Sequence, residues 1–251
     1  METLLSGRNA VGSDANPLAR LISRVKTNRY IIKELLKDKK NLKATLRQIK
    51  TEYLIPQFTN IDYWYLPQIK IQLARILNAI NELEIKENRD FFMVAFSNCT
   101  KKVSLADQRI SVPVRLRNDK YPLGHPLHEK IKLRIEGIEN VNVEELFWKI
   151  VDENIRRVEK TLLAIDADVS LLTIEDDARY LNEIASNYPK INLVISSPPY
   201  AGAQKYIRSS SLNIGWTISN ERNNLKELEN MSIGREHFPK TSYQSLLKTY
   251  I

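Results

Sequence analysis

Ser197-Pro198-Pro199-Tyr200 closes an apolar, β-branched run that contains Ile191, Leu193, Val194 and Ile195. The run reads as a buried strand of an α/β sheet. Neither proline can donate to a strand ladder, so the chain must leave the sheet there. Open α/β folds place their ligand sites in the crevice beyond the carboxyl ends of the strands. A rigid turn at that place fixes hydroxyls, backbone carbonyls and an aromatic ring in one crevice. The other reading of these residues is a strand-to-loop exit with a packed tyrosine.

A second set of chemistry-bearing residues lies near the N-terminus. From Arg20 to Lys50 there are eleven Lys or Arg residues against only Glu34 and Asp38. A basic stripe that includes Lys39, Lys40 and Lys43 attracts phosphate backbones by counterion release, or it is a solvated helix face. Arg208, after the turn, is a further candidate for phosphate contact, and Lys205 and Arg208 equally suit a surface exposed to water. Gln204 and Tyr206 stand close enough to the turn to line a pocket beside it. His125 and His128 are three residues apart, but no further ligand cluster lies near them in sequence, so no metal site is expected. Trp64, Phe91 and Phe92 read as core.

These groups need elements to hold them. Residues 8–14 read as a short strand ending in Asp14, and Asn16-Pro17 opens a helix, with proline tolerated in the first turn. That helix runs, with a break near Asn28, to about Tyr53. A second helix covers Leu66 to Leu83, where Ile69, Leu73, Ile76, Leu77 and Ile80 recur at helical spacing. A third, largely buried helix begins at Asp90. Residues 111–127, with three prolines and Gly124, read as an extended loop, and a long helix of mixed charge follows from about Asn142 to Ala164. Residues 169–174 are then a strand, 176–187 a helix and 191–196 the next strand. Strand, helix and strand at this spacing imply parallel pairing with a crossover helix. The expected fold class is α/β, a partial Rossmann-like sheet with a large, mainly helical insertion: residues 1–27 and 165–251 form the discontinuous core, and 28–164 form the insertion.

The bulk numbers set bounds. The chain has 251 residues, 43% of them hydrophobic and 27% charged, and a net charge of +8, the profile of an ordinary globular protein. No stretch approaches the roughly 18 consecutive apolar residues of a membrane span, and the first residues lack the pattern of a secretory signal. Cys99 is the single cysteine, so there is no disulfide framework and no cysteine-rich zinc site. A cytoplasmic location is the expectation.

With the motifs placed, the chain resembles the amino-methylating DNA methyltransferases that use S-adenosylmethionine. That family has a catalytic turn of Ser, Asp or Asn followed by Pro-Pro and an aromatic residue, matched here by Ser197-Pro198-Pro199-Tyr200. Gly12-Ser13-Asp14-Ala15-Asn16-Pro17 is similar to the family's Gly-x-Asp-x-Asn-Pro segment, and Asp177-Ala178-Arg179 to its Asp-Ala-Arg element. The resemblance implies that Asp14 and Asn16 serve the cofactor, Asp14 by accepting from its ribose hydroxyls, and that Asp177 lies near its adenine. Each acid also suits a helix cap. It implies duplex DNA as the partner and an exocyclic amine as methyl acceptor, N4 of cytosine ahead of N6 of adenine, within a restriction-modification setting.

The implied chemistry suits the residue types. The lone pair of an exocyclic amine is conjugated with the ring, so the amine is a poor nucleophile. Hydrogen bonds from the amine to the Pro198 carbonyl and the Ser197 side chain draw it toward sp³ geometry and aim the lone pair. The base must leave the stack to arrive there, and Tyr200 offers a face to hold it. The sequence departs from the family in having no Gly-x-Gly-like turn, because its seven glycines are isolated; close backbone approach to the methionine end of the cofactor depends on such a turn. Two further readings therefore stay open: a non-catalytic basic DNA-binding module, and one half of a split methyltransferase whose second chain supplies the glycine-rich motif.

Overall fold

The computed structural model describes residues 1–48, 52–164, 168–169, 171–174, 191–196, 205–218 and 225–231. After a short helix α1 (Glu2–Leu5), strand β1 (Ala10–Ser13) leads into α2 (Pro17–Thr27), α3 (Ile32–Arg47), the single turn α4 (Ile61–Trp64), α5 (Pro67–Asn81), α6 (Lys86–Lys102), α7 (Pro126–Glu139) and α8 (Val143–Leu162). Strand β2 (Leu171–Ile174) follows, and α9 (Tyr206–Ser209), α10 (Ser211–Thr217) and α11 (Leu225–Met231) come last.

Local chemistry sets the helix starts. Asn16 accepts the Leu18 N–H and Pro17 occupies the first position of α2, a proline position that costs no hydrogen bond. α5 and α7 also begin on proline, and His125 caps α7. Asn142 caps α8, with Glu144 and Glu145 in its first turn, where negative charge meets the positive end of the helix dipole. The break expected near Asn28 is the C-cap of α2, and α3 begins at Ile32.

β1 and β2 pair in parallel, in register from Ala10 opposite Leu171 to Ser13 opposite Ile174. Their carboxyl ends therefore lie side by side: Asp14 follows one, and the chain leaves the other at Ile174. Between these strands the chain makes its helical excursion, as any parallel connection requires a crossover.

Two sequence expectations are corrected. The run 191–196 is not a buried strand: it makes no strand pairing among the described residues, and Leu193, Val194 and Ile195 are 68%, 78% and 83% exposed. Branched apolar residues favour a strand only where an edge and a covering layer receive them, and the described residues bring neither to this run. The 111–127 segment is more ordered than an open loop. Ala106 and Arg115 form an antiparallel bridge, a 3₁₀ turn spans Asn118–Lys120, and α7 starts at Pro126.

α6 is the central element. Phe91, Phe92, Ala95, Phe96 and Cys99 are all at most 1% exposed, and the helix packs against α2, α5, α8 and α10. One apolar cluster runs from Leu18 in α2 through the helical excursion to Trp216 in α10 and Leu228 in α11. The strand-flanking parts and the helical part thus bury a common core. Burying one large apolar side chain contributes roughly 1.5–3 kcal/mol, so this shared cluster fixes the residues after the turn against the excursion.

Candidate active site

The site's first element is the turn after β1. The Asp14 carboxylate is exposed, and its Oδ1 accepts the Asn16 N–H at 2.7 Å. The Asn16 side chain caps Leu18 at 3.0 Å. Arg20, one helical turn on, donates to the carbonyls of Asp14 at 2.7 Å and Ala15 at 3.1 Å. Capping by Asn16 leaves Asp14 free of the cap role, and the turn is held from both sides. Sequence reasoning counted Arg20 only in the basic stripe; its signal as a clamp was its place in the first turn after the Asn16-Pro17 helix start.

The second element is the segment that follows Ser197-Pro198-Pro199-Tyr200. Those four residues, with Gln204 and Asp177, lie outside the described residues. The chain is described again from Lys205, and there it meets the first element: Asn16 Nδ2 donates to Ser210 Oγ at 3.4 Å. α10 is anchored by Trp216, 1% exposed, whose ring meets those of Tyr65, Phe58 and Phe96 edge-on at 5.5, 6.1 and 6.1 Å. Buried Asn213 donates through Nδ2 to the Ser97 carbonyl at 2.7 Å and to Ser97 Oγ at 3.1 Å. Such edge-to-face rings and satisfied buried amides specify one arrangement.

Beside the second element lies a cavity of about 220 Å³ lined by Phe58, Asn60, Trp64, Pro113, Arg208 and Glu229, among others. Arg208 Nε stands 4.0 Å from Glu229 Oε1. Asn60 adopts the left-handed conformation, φ 62°, which asparagine tolerates. Tyr206 is exposed.

The basic candidates on α3 are divided. Lys39 pairs with Asp152 of α8, and Lys43 lies 5.0 Å from the centre of the Trp148 ring, a cation–π contact. Lys40 faces solvent. His125 and His128 serve structure: His125 Nδ1 accepts the Leu127 N–H at 3.1 Å, and His128 Nδ1 donates to the Tyr121 carbonyl at 2.9 Å. Phe91 and Phe92 are core, whereas Trp64 is half-buried. Burial pushes the Cys99 thiol up to about 12, which keeps it protonated. Among the described residues no group of three or more His, Cys, Asp or Glu is arranged to hold a metal, and no helix is long and apolar enough to cross a membrane.

Comparison with known proteins adds a relative. The chain is similar to the Type II methyltransferase M.MvaI of Kocuria varians, 26% identical over 261 residues that take in 93% of this chain and 52% of that protein. The chain thus spans about half the length of the curated relative it matches. No protein-family model matches it, and no solved structure matches it. The similarity supports a relationship to methyltransferases.

Proposed function

We propose that this chain is the whole or a part of an S-adenosylmethionine-dependent methyltransferase that modifies an exocyclic amine of duplex DNA, N4 of cytosine. The similarity to a Type II methyltransferase over 93% of the chain carries the reading. The turn Ser197-Pro198-Pro199-Tyr200 and the exposed acid at the carboxyl end of β1 support it. On this reading β1 and β2 belong to a Rossmann-like sheet, residues 1–27 and 165–251 are its core, and 28–164 are its insertion.

Asp14 suits the ribose end of the cofactor. Its carboxylate is exposed beyond a parallel strand, and one oxygen is oriented by the Asn16 N–H, the arrangement an acceptor of vicinal hydroxyls needs. Bound S-adenosylmethionine supplies a methyl group already activated by positive charge. The chain's own residues orient the acceptor: Ser197 and the Pro198 carbonyl take the amine's N–H groups, and Tyr200 stacks on the extruded base. Asp177 comes three residues after β2 in the sequence, and on this reading it serves the adenine of the cofactor.

Isothermal calorimetry with S-adenosylmethionine, together with transfer of a labelled methyl group to duplex DNA, tests the proposal. Cofactor binding that is lost in Asp14→Ala, with methyl transfer lost in Ser197→Ala, is the expected result. Cofactor binding unaffected by Asp14→Ala overturns the assignment of that residue. Absence of transfer, with or without the 251-residue chain's natural companions, overturns the enzyme reading in favour of a DNA-binding module.

A further inference from the structure

We infer that the DNA-contacting face of this chain is the basic ribbon formed by residues 101–121 and the start of α7, and not the lysine stripe of α3. The inference rests on the proposed function for the identity of its partner. From Lys101 to Arg134 the sequence holds nine Lys or Arg residues against Asp107, Asp119 and Glu129.

The ribbon is rigid. Asp107 N–H donates to the Val114 carbonyl and Leu116 N–H to the Leu105 carbonyl, both at 2.8 Å, around the Ala106–Arg115 bridge. Leu105 N–H donates to the Trp64 carbonyl at 2.8 Å, and Arg134 of α7 donates to the Lys102 carbonyl. The guanidinium groups are held as well. Asp107 clasps Arg109 with both oxygens, at 2.6 to 3.2 Å, and Asp119 holds Arg117 at 2.7 Å. Arg115 lies 4.6 Å from the centre of the half-exposed Tyr63 ring. Planar guanidiniums set at fixed places lose little freedom on meeting phosphate oxygens, which they bind in a forked geometry.

Position favours this face over α3. Val112 and Pro113, in the ribbon, line the 220 Å³ cavity together with Arg208 and Ser211. The basic face is thus continuous with the segment that follows Ser197-Pro198-Pro199-Tyr200. On α3, by contrast, no residue lines that cavity. Exposed Ile110 and Leu123 sit among the ribbon's charges, which makes an anionic membrane the rival partner.

Neutralising Lys102, Arg117 and Lys120 to glutamine tests the inference against the same loss of three charges at Lys33, Lys37 and Lys40 of α3. All six side chains belong to exposed residues. Fluorescence anisotropy with a labelled duplex is followed from about 50 to 200 mM salt. The ribbon variant should bind about tenfold more weakly at the low end, with the slope of log affinity against log salt reduced by about 2 to 3. The α3 variant should stay within about twofold of the parent, and both should melt as the parent does. Should the ribbon triple variant melt early, Lys120→Glu alone replaces it, with a slope reduced by about 1 or more. Equal or larger losses in the α3 variant overturn the inference. So does tighter binding to RNA, or to phosphatidylserine vesicles at equal phosphate, than to duplex DNA. Ribbon-dependent duplex binding without methyl transfer leaves the face standing and removes the methyltransferase reading; methyl transfer indifferent to the ribbon does the reverse.

Discussion

Asn16 and Ser210, 194 residues apart in the chain, meet at 3.4 Å through the asparagine Nδ2 and the serine Oγ. The same Asn16 accepts the Leu18 N–H with its other side-chain atom. One amide therefore ends the loop after β1, starts α2 and ties both to the segment beyond Tyr200. It acts on the site by placing Asp14, whose carboxylate accepts the Asn16 backbone N–H.

Asn16→Ala should lower stability by about 1 kcal/mol through loss of the cap. Ser210→Ala removes only the long-range tie, a half-buried hydrogen bond, and should cost about 0.5 to 1 kcal/mol. Urea denaturation of both variants and the double variant checks this. A double variant that costs the sum of the two singles would show that the cap and the tie act independently, contrary to their sharing one amide.

Gly215 has a steric reason. A Cβ added there would meet the Phe58 ring at 2.7 Å, and that ring is itself fixed between Tyr65 and Trp216. Gly215→Ala should therefore destabilise by about 2 kcal/mol, the usual cost of overpacking, even though alanine is the better helix former. A thermal melt several degrees lower is expected, and an unchanged or raised Tm would refute this packing account.

Much of this arrangement was legible in the sequence, for identifiable reasons. Asn16-Pro17 carries a start signal in two residues, and the repeat Ile69, Leu73, Ile76, Leu77, Ile80 marks the buried face of α5, where all but Leu77 are at most 1% exposed. Such signals are local. Residues 191–196 misled because strand propensity says nothing about whether an edge is available. The α3 lysines read as one stripe because charge counts do not reveal that Lys39 meets Asp152 and Lys43 meets Trp148, more than 100 residues away in the chain. α7 was passed over for a proline-rich prelude that holds the ribbon. Ser210 carried no sequence signal, since its role exists only opposite Asn16.

The ribbon has a pH signature. Hydrogen bonds from the Arg109 side chain hold the Asp107 carboxyl below its usual range, against the opposing effect of burial. A carboxylate lowered in the folded state contributes stability above its unfolded pKa of about 3.9 and loses it as pH falls through the lowered value. Between these two points the unfolded chain binds more protons. Asp107→Asn should therefore flatten the decline of stability below about pH 4, with little change in slope near neutrality. Denaturation midpoints measured across acidic pH check this; parallel curves for parent and variant would show that the pair contributes nothing in solution.

Ser197→Ala and Tyr200→Ala should each abolish methyl transfer in any complex where this chain is active, while leaving the duplex affinity of the ribbon in place. Loss of the Tyr200 ring removes stacking worth roughly 1 to 3 kcal/mol per base and leaves the amine misplaced. Single-turnover assays separate this from binding. Near-parental turnover in Tyr200→Ala would remove that residue from the site.

On the proposed function, N4 of cytosine is assigned as the methylated amine from the first residue of the turn. Ser197 presents a hydroxyl, a weaker acceptor than a carboxylate and able also to donate to a ring nitrogen or carbonyl. Cytosine places a ring nitrogen and then a carbonyl beside its N4 amine, so a group that both accepts and donates matches that edge. A carboxylate draws more strongly on the amine's protons but has no proton to donate. Nucleoside mass spectrometry of methylated duplex should therefore find N4-methylcytosine. Ser197→Asp, which exchanges the hydroxyl for a carboxylate, should lower transfer to cytosine more than it lowers cofactor binding. Recovery of N6-methyladenine without N4-methylcytosine from the parent protein would sink the assignment.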